Sequence, residues 1–329
     1  MSDTSAASGR CWVGFDLGGT KMLAVITDEK FHPIVRKRRK THSEEDNSTG
    51  MGRVISTIEK ALEEGGISKD RLAGIGIGCP GMLDLDKGIV REAANLGWEN
   101  EPVQAQLEKA FGCPAVILND VDAGVYGEYR LGAAQGARTV LGVFPGTGVG
   151  GGLVYEGTIF RGKNFSCLEV GHMQAIPDGP RCACGRLGCL EAVSSRLAIA
   201  AASAQAVFRG HAPILAQLAG SDLANIRSGV LAEAIKKGDK AIEQIVRDAA
   251  NHIGTAIGGL VHLLAPDVVV LGGGLVEAMP ELYVEQVSIA AKKWVRPTYA
   301  KTYEVVATKL GDDASALGAA AWAEATFAK

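Results

Sequence analysis

The sequence predicts an α/β architecture, duplicated, with a cleft between the halves; three observations lead there. Residues 12–16 and 21–27 read as two strands around Gly18-Gly19, a hairpin signal. A hairpin of the same outline recurs over 139–144, turns through Pro145 to Gly152 and returns along 153–155. Each hairpin then continues into alternating helical and strand patterns, with no need for a long structureless linker.

Taken in order, residues 34–40 extend the opening meander. The stretch 53–64 sets Val54, Ile55, Ile58, Ala61 and Leu62 at helical spacing, and 72–78 returns as an apolar, glycine-rich strand. Residues 116–118 form a short buried strand ending at Asn119-Asp120, with a helix over 123–130 behind it. Residues 192–208 and 241–264 are long helical patterns, and the strand 268–271 runs into Gly272-Gly273-Gly274. Residues 314–328 close as an alanine-rich helix.

At 329 residues the chain has room for two domains, and 47% hydrophobic with 22% charged residues describes a soluble globular protein. A net charge of -3 exerts no pull on polyanions, so nucleic acid is not an expected partner. No apolar run reaches bilayer length; even 260–275 is interrupted by His262 and Pro266-Asp267. Residues 1–10 are small and polar without the apolar core of a secretory signal, so a frayed tail and a cytoplasmic location are expected. Of seven cysteines, Cys182, Cys184 and Cys189 crowd together while Cys11, Cys79, Cys113 and Cys167 are scattered, which is metal-site usage and not a disulfide framework.

The block Asp16-Leu17-Gly18-Gly19-Thr20-Lys21 places a carboxylate, two residues able to take positive φ, a hydroxyl and an ammonium in one turn. Backbone N–H groups in such a turn face anionic oxygens, and Asp16 suits the water shell of Mg²⁺. The same Gly-Gly pair serves any tight hairpin. Gly146-Thr147-Gly148-Val149-Gly150-Gly151-Gly152 is denser in glycine than a hairpin requires, and it is neither a Walker loop nor a Rossmann fingerprint. Gly272-Gly273-Gly274 would let an adenine and ribose lie against backbone, or would start a helix packed closely on its strand. Asp120, at a strand end where open α/β sheets place ligands, is the candidate general base; an Asn-Asp pair is equally a turn or helix cap.

His172, Cys182, Cys184 and Cys189 give one imidazole and three thiols within 172–189, a closed set of four ligands for tetrahedral Zn²⁺ with no place left for water. The metal is therefore expected to be structural, stapling a loop without secondary structure of its own. Glu169 and Glu191 flank the set and suit vicinal hydroxyls, the alternative being surface charges on a zinc knuckle.

These motifs resemble the ROK family (repressors, open reading frames, kinases) from Val13 nearly to the C-terminus. The resemblance rests on Asp16–Lys21, Gly78-Cys-Pro-Gly81, Asn95-Leu-Gly-Trp98, Asn119-Asp120, Gly146–Gly152, Glu169-Val-Gly-His172 and Cys182-x-Cys184-Gly-x-x-Gly-Cys189-x-Glu191. It implies the duplicated actin-like ATPase fold, shared with hexokinases and RNase H-like, with two lobes that close around the substrates. It further implies that Asp120 is the catalytic base for a hexose hydroxyl, usually at C6, and that Gly81, Asn95, Asn119, Asp120, Glu169, His172 and Glu191 line the sugar site. Mg-ATP would bind through Asp16, Gly18, Gly19, Thr20, Lys21, Thr147, Gly148, Gly273 and Gly274. The organisation expected is a tail over 1–11, an N-terminal lobe over 12–130 completed by a helix at about 312–329, and a C-terminal lobe over 131–311 carrying the zinc loop 172–189. Family members often have Ala-Gly where this chain has Cys167-Leu168, and the larger Leu168 would reshape the pocket wall.

Glucose is the first-choice sugar, ahead of mannose, fructose, N-acetylmannosamine and N-acetylglucosamine, and polyphosphate stands open as another donor. A repressor needs a helix-turn-helix, for which the roughly eleven residues before the first strand are too few. A non-catalytic sugar-binding regulator would need neither Asp120 nor three glycine blocks. The basic run 36–40, set on a strand, splits between two faces and reads as a solvated strand. A homodimer follows from the commonest symmetric assembly.

Overall fold

A computed structural model of the chain describes residues 9–41, 50–163 and 168–328. It divides into two compact units, one drawn from Met1–Gln135, Ile159–Ser166 and Asp312–Lys329 and the other from Gly136–Thr158 and Cys167–Gly311. Residues 1–8 of the expected tail and Cys167 lie outside the described residues.

The first unit opens with β1 (Cys11–Leu17), β2 (Lys21–Thr27) and β3 (Pro33–Lys40), an antiparallel meander. Cys11, counted above with the tail, is fully buried as the first residue of β1. After α1 (Gly50–Glu64), β4 (Leu72–Cys79) pairs parallel with β1. Three short strands, β5 (Met82–Asp84), β6 (Ile89–Ala93) and β7 (Trp98–Glu101), form a small antiparallel sheet absent from the sequence reading. The helix α2 (Val103–Phe111) leads to β8 (Ala115–Asn119), parallel to β4, and then to α3 (Asp120–Leu131). The sheet order is β3-β2-β1-β4-β8.

On β3 the basic run does alternate: Arg36, Arg38 and Lys40 are exposed, Lys37 and Arg39 less so. Arg36 pairs with Asp313 at 2.8 Å, Arg38 with Asp312 at 2.9 Å and Lys37 with Glu64.

The C-terminal helix (Ala314–Phe327) lies against β1, β4 and α3 at backbone distance. A Cβ on Gly14 would fall 1.8 Å from the Ala316 carbonyl oxygen, and one on Gly76 1.9 Å from that of Ala319. A Cβ on Gly318 of the helix would fall 1.8 Å from the Ala123 oxygen of α3. Only glycine fits where backbone oxygens come this close, which explains the small residues on both sides of the contact.

The second unit repeats the winding. Its hairpin is β9 (Thr139–Pro145) with β10 (Val149–Tyr155), followed by the two-residue β11 (Thr158–Ile159). The helices α4 (Glu191–Ser194), α5 (Arg196–Phe208), α6 (Pro213–Ala219), α7 (Ser228–Lys236) and α8 (Lys240–Leu264) precede β12 (Val268–Leu271). Then come α9 (Gly274–Ala278), α10 (Pro280–Trp294) and β13 (Glu304–Ala307). β12 joins β9 in parallel and β13 joins β12, giving β11-β10-β9-β12-β13. In both units a hairpin thus gains two parallel strands on the side of its first strand.

Two expected boundaries shift. The turn assigned to 145–152 is tighter, because β10 resumes at Val149 and its three glycines pair as strand residues. The helix expected over 192–208 breaks at Ser195, which is extended (φ -72°, ψ 161°) and whose hydroxyl accepts from Ala198 N at 3.2 Å as the cap of α5. Among the described residues no helix is long and apolar enough to cross a membrane.

Candidate active site and metal centre

In the first unit the carboxyl ends of β1, β4 and β8 lie side by side, with Asp16 in register with Gly78 and Cys79 with Asn119. Asn119 ends β8 and caps α3: its Oδ1 accepts from Val121 N at 2.9 Å and Asp122 N at 3.2 Å. The capping reading of the Asn-Asp pair therefore holds for Asn119, while its amide nitrogen keeps its donors. Asp120, half-buried, is the first residue of α3, with Oδ1 3.0 Å from Val121 N and its carbonyl accepting from Ser315 Oγ at 2.9 Å.

Asp16 faces opposing influences. Burial, followed by the charge of Asp120, raises its carboxyl from 3.8 to about 7, with Lys21 pulling the other way. Two carboxylates near enough to repel each other in a partly dry site suit a divalent cation.

The turn after Asp16 is closed by Gly18 N donating to Lys21 O at 3.0 Å. Thr41 fastens it from outside, its Oγ1 donating to Gly18 O at 2.6 Å and its N to Thr20 O at 2.9 Å. Neither Gly18 nor Gly19 takes the positive φ open to glycine. What they supply is room, since a Cβ on Gly18 would lie 2.7 Å from Lys21 O and one on Gly19 3.3 Å from the Cβ of Asn95. Asn95 thus stands beside the turn, exposed like Thr20. Lys21 Nζ donates to both carboxylate oxygens of Asp312, at 3.0 and 3.1 Å, and Arg38 shares that carboxylate. Partial burial would raise Asp312, but Lys21 and Arg38 hold it below the usual carboxylate range. Gly81, exposed at φ 90°, follows β4; a Cβ there would lie 2.2 Å from Glu92 O.

In the second unit the other two glycine blocks meet at the carboxyl ends of β9 and β12. Gly273, at φ 82°, precedes α9, and a Cβ there would lie 2.7 Å from Pro145 O; Gly274, exposed, begins the helix. Gly146 N donates to Gly148 O at 2.8 Å, leaving Thr147 exposed at the tip. Arg196, outside every sequence motif, donates through its backbone N to Gly146 O at 2.8 Å and through Nη2 to Thr147 Oγ1 at 3.2 Å.

Glu191 is not a loose surface charge. Its Oε2 accepts from Val149 N at 3.1 Å, so close to Gly148 that a Cβ there would meet it at 2.4 Å. Its Oε1 lies 3.7 Å from Cys182 Sγ, joining the glycine turn to the cysteine loop. Gly171 is pressed against β10, 2.2 Å from its virtual Cβ to Val149 O, which sets half-buried His172 nearby; Glu169 is exposed. Leu168 adopts φ 63°, the left-handed region where the family often has glycine, and its side chain packs against the core of this unit.

The ligand atoms of His172, Cys182, Cys184 and Cys189 all lie within 4.8 Å of one another. Cys182 Sγ is 3.7 Å from His172 Nδ1, and Cys184 Sγ is 3.7 Å from Cys189 Sγ. Burial pushes the Cys182 thiol up to about 11, whereas the backbone N–H and side chain of Arg186 bring exposed Cys184 down to about 6. Such a set can hold a metal ion.

Comparison with known proteins covers nearly the whole chain. The ROK family pattern matches residues 12–326. A glucokinase of Thermotoga maritima is 33% identical over 94% of this chain and 95% of its own. The crystal structure of a ROK family glucokinase from Streptomyces griseus, in complex with glucose and AMPPNP, superposes with a TM-score of 0.83 at 29% identity, covering 96% of this chain and 99% of that one. A ROK hexokinase from Thermus thermophilus gives 0.79 at 32% identity over 96% and 98%.

Proposed function

Since the chain belongs to the ROK family, we propose that it transfers the γ-phosphoryl group of ATP to the 6-hydroxyl of glucose. Its fold is the duplicated actin-like ATPase fold. One observation supports the chemistry above the others: Asp16, the glycine turn with Lys21, and Asp120 stand together at the carboxyl ends of β1, β4 and β8.

In this reading Asp120 accepts the proton of the attacking hydroxyl, worth on the order of 10²–10⁴ in rate. Lys21, the N–H groups of the turns and the Thr147 hydroxyl offset charge on the phosphates, and Gly273-Gly274 give the nucleoside close access to backbone. Mg²⁺, held through water by Asp16, would neutralise the phosphate oxygens. The sugar hydroxyls are assigned to Asn95, Asn119, Glu169, His172 and Glu191, and Gly81 is assigned to the same site. A carboxylate already fixed by Val149 N, as Glu191 is, discriminates between sugars better than a mobile one.

The metal is assigned as zinc. A tetrahedral ion with metal–sulfur bonds of about 2.3 Å has ligand–ligand edges of about 3.8 Å; two of the separations, at 3.7 Å, match that edge, and all lie within 4.8 Å. Four protein ligands fill the shell, so the ion would stabilise the loop and take no part in the reaction. Glucose and ATP are the partners this reading requires, and a homodimer is tested by sedimentation.

ADP release with Mg-ATP over glucose, mannose, fructose and the two N-acetylhexosamines tests the assignment, with polyphosphate as a second donor. Glucose is expected to give the highest kcat/KM. Silence across the panel from folded, metal-replete protein would favour the non-catalytic regulator.

A further inference from the structure

We propose that Arg196 is a ligand for the phosphates of the donor, acting with the Thr147 hydroxyl at the second glycine turn; this rests on the phosphotransfer reading. Arg196 opens the thirteen-residue helix α5 and is fixed to the turn at both ends, by its backbone N on Gly146 O and by Nη2 on Thr147 Oγ1. The charge is therefore held 3.2 Å from the hydroxyl assigned to the phosphates.

Two features make this an anion-binding arrangement and more than a staple. Among the described residues Arg196 has no carboxylate partner, whereas Lys21 at the first turn is engaged by Asp312. Thr147 Oγ1 accepts from Arg196, so its own hydrogen remains to donate to a phosphate oxygen. A guanidinium has five donors in a planar fork, and one bond to Thr147 leaves the others for a phosphate. The amino end of α5 adds its partial positive charge at the same place.

Calorimetry on the full chain with Mg²⁺ and glucose separates the possibilities, using AMPPNP and adenosine as ligands. Arg196→Gln keeps an amide donor for Thr147 and removes the charge. It is expected to weaken AMPPNP about tenfold or more, the scale of one charge-assisted hydrogen bond, while adenosine and glucose bind as to the wild type. Arg196→Lys should recover part of the loss, having charge without the fork. AMPPNP affinity within twofold of wild type in Arg196→Gln, or an equal loss for adenosine, would overturn the proposal. Wild-type protein that binds no AMPPNP would instead defeat the phosphotransfer reading beneath it. Should Arg196→Gln melt early, Arg196→Lys decides, since a pure staple predicts no loss of AMPPNP in that variant.

Discussion

Replacing Asp16 with Asn should make the magnesium-free protein more stable while abolishing magnesium-dependent turnover. The carboxyl of Asp16 is raised from 3.8 to about 7, first by burial and then by the neighbouring Asp120. Below about pH 4 both the folded and the unfolded chain carry the proton, and the residue costs nothing. Between about 4 and 7 the unfolded chain releases its proton first, so stability falls as pH rises; above 7 the loss is complete and level. At about 1.4 kcal/mol per pH interval the full loss is at most about 4 kcal/mol, an upper bound because Asp16 keeps some solvent contact. Asn has nearly the same shape and no charge to desolvate. Urea unfolding without added magnesium, followed by fluorescence of Trp12, Trp98 and Trp322 in the first unit, would read the difference at pH 5, 6, 7 and 8. The advantage of Asp16→Asn should widen from pH 5 to 7 and then stay level. A gap independent of pH, or a wild type more stable at pH 8, would refute the reasoning.

Asp120→Asn should lower turnover a hundredfold or more with glucose and AMPPNP still binding; near-normal turnover would remove Asp120 as the base. Cys184→Ser takes one of the four clustered ligands, so zinc content should fall and KM for glucose rise. A full zinc complement by elemental analysis would reject the metal assignment. Gly318→Ala puts a methyl 1.8 Å from the Ala123 carbonyl oxygen, and the backbone must shift at a cost of about 1–3 kcal/mol, partly offset by about 1 kcal/mol of helix propensity. Its urea midpoint should fall, and an unchanged midpoint would mean the contact is looser than described.

Much of the fold is visible in sequence where local chemistry is strong. The apolar runs of β1 with β2 and of β9 with β10, and the glycine-rich turns between them, announce both hairpins. The small sheet β5–β7 does not, because its strands have three to five residues and carry Asp84, Glu92, Glu99 and Glu101. The break at Ser195 is masked by apolar spacing that continues across it. Motif residues were found because they lie in dense local blocks. Their partners were not: Asp312 reaches Lys21 across 291 positions and Arg196 reaches Thr147 across 49, separations that no local pattern encodes. Leu168 could be singled out by comparison with family habit, yet its left-handed backbone is a property of the folded turn.

The helix Ala314–Phe327 completes the first unit although that unit's sheet is nearly all encoded before Leu131. Roughly 180 residues separate the two, so at roughly 5–20 residues per second a ribosome needs about 10–35 s to cross the gap. During that interval the second unit, ending at Gly311, can bury its own core. Until then the face of the first sheet that carries Gly14 and Gly76 lacks the helix that packs on it. Only once this helix has been made can it cover that seam and complete the sheet formed first.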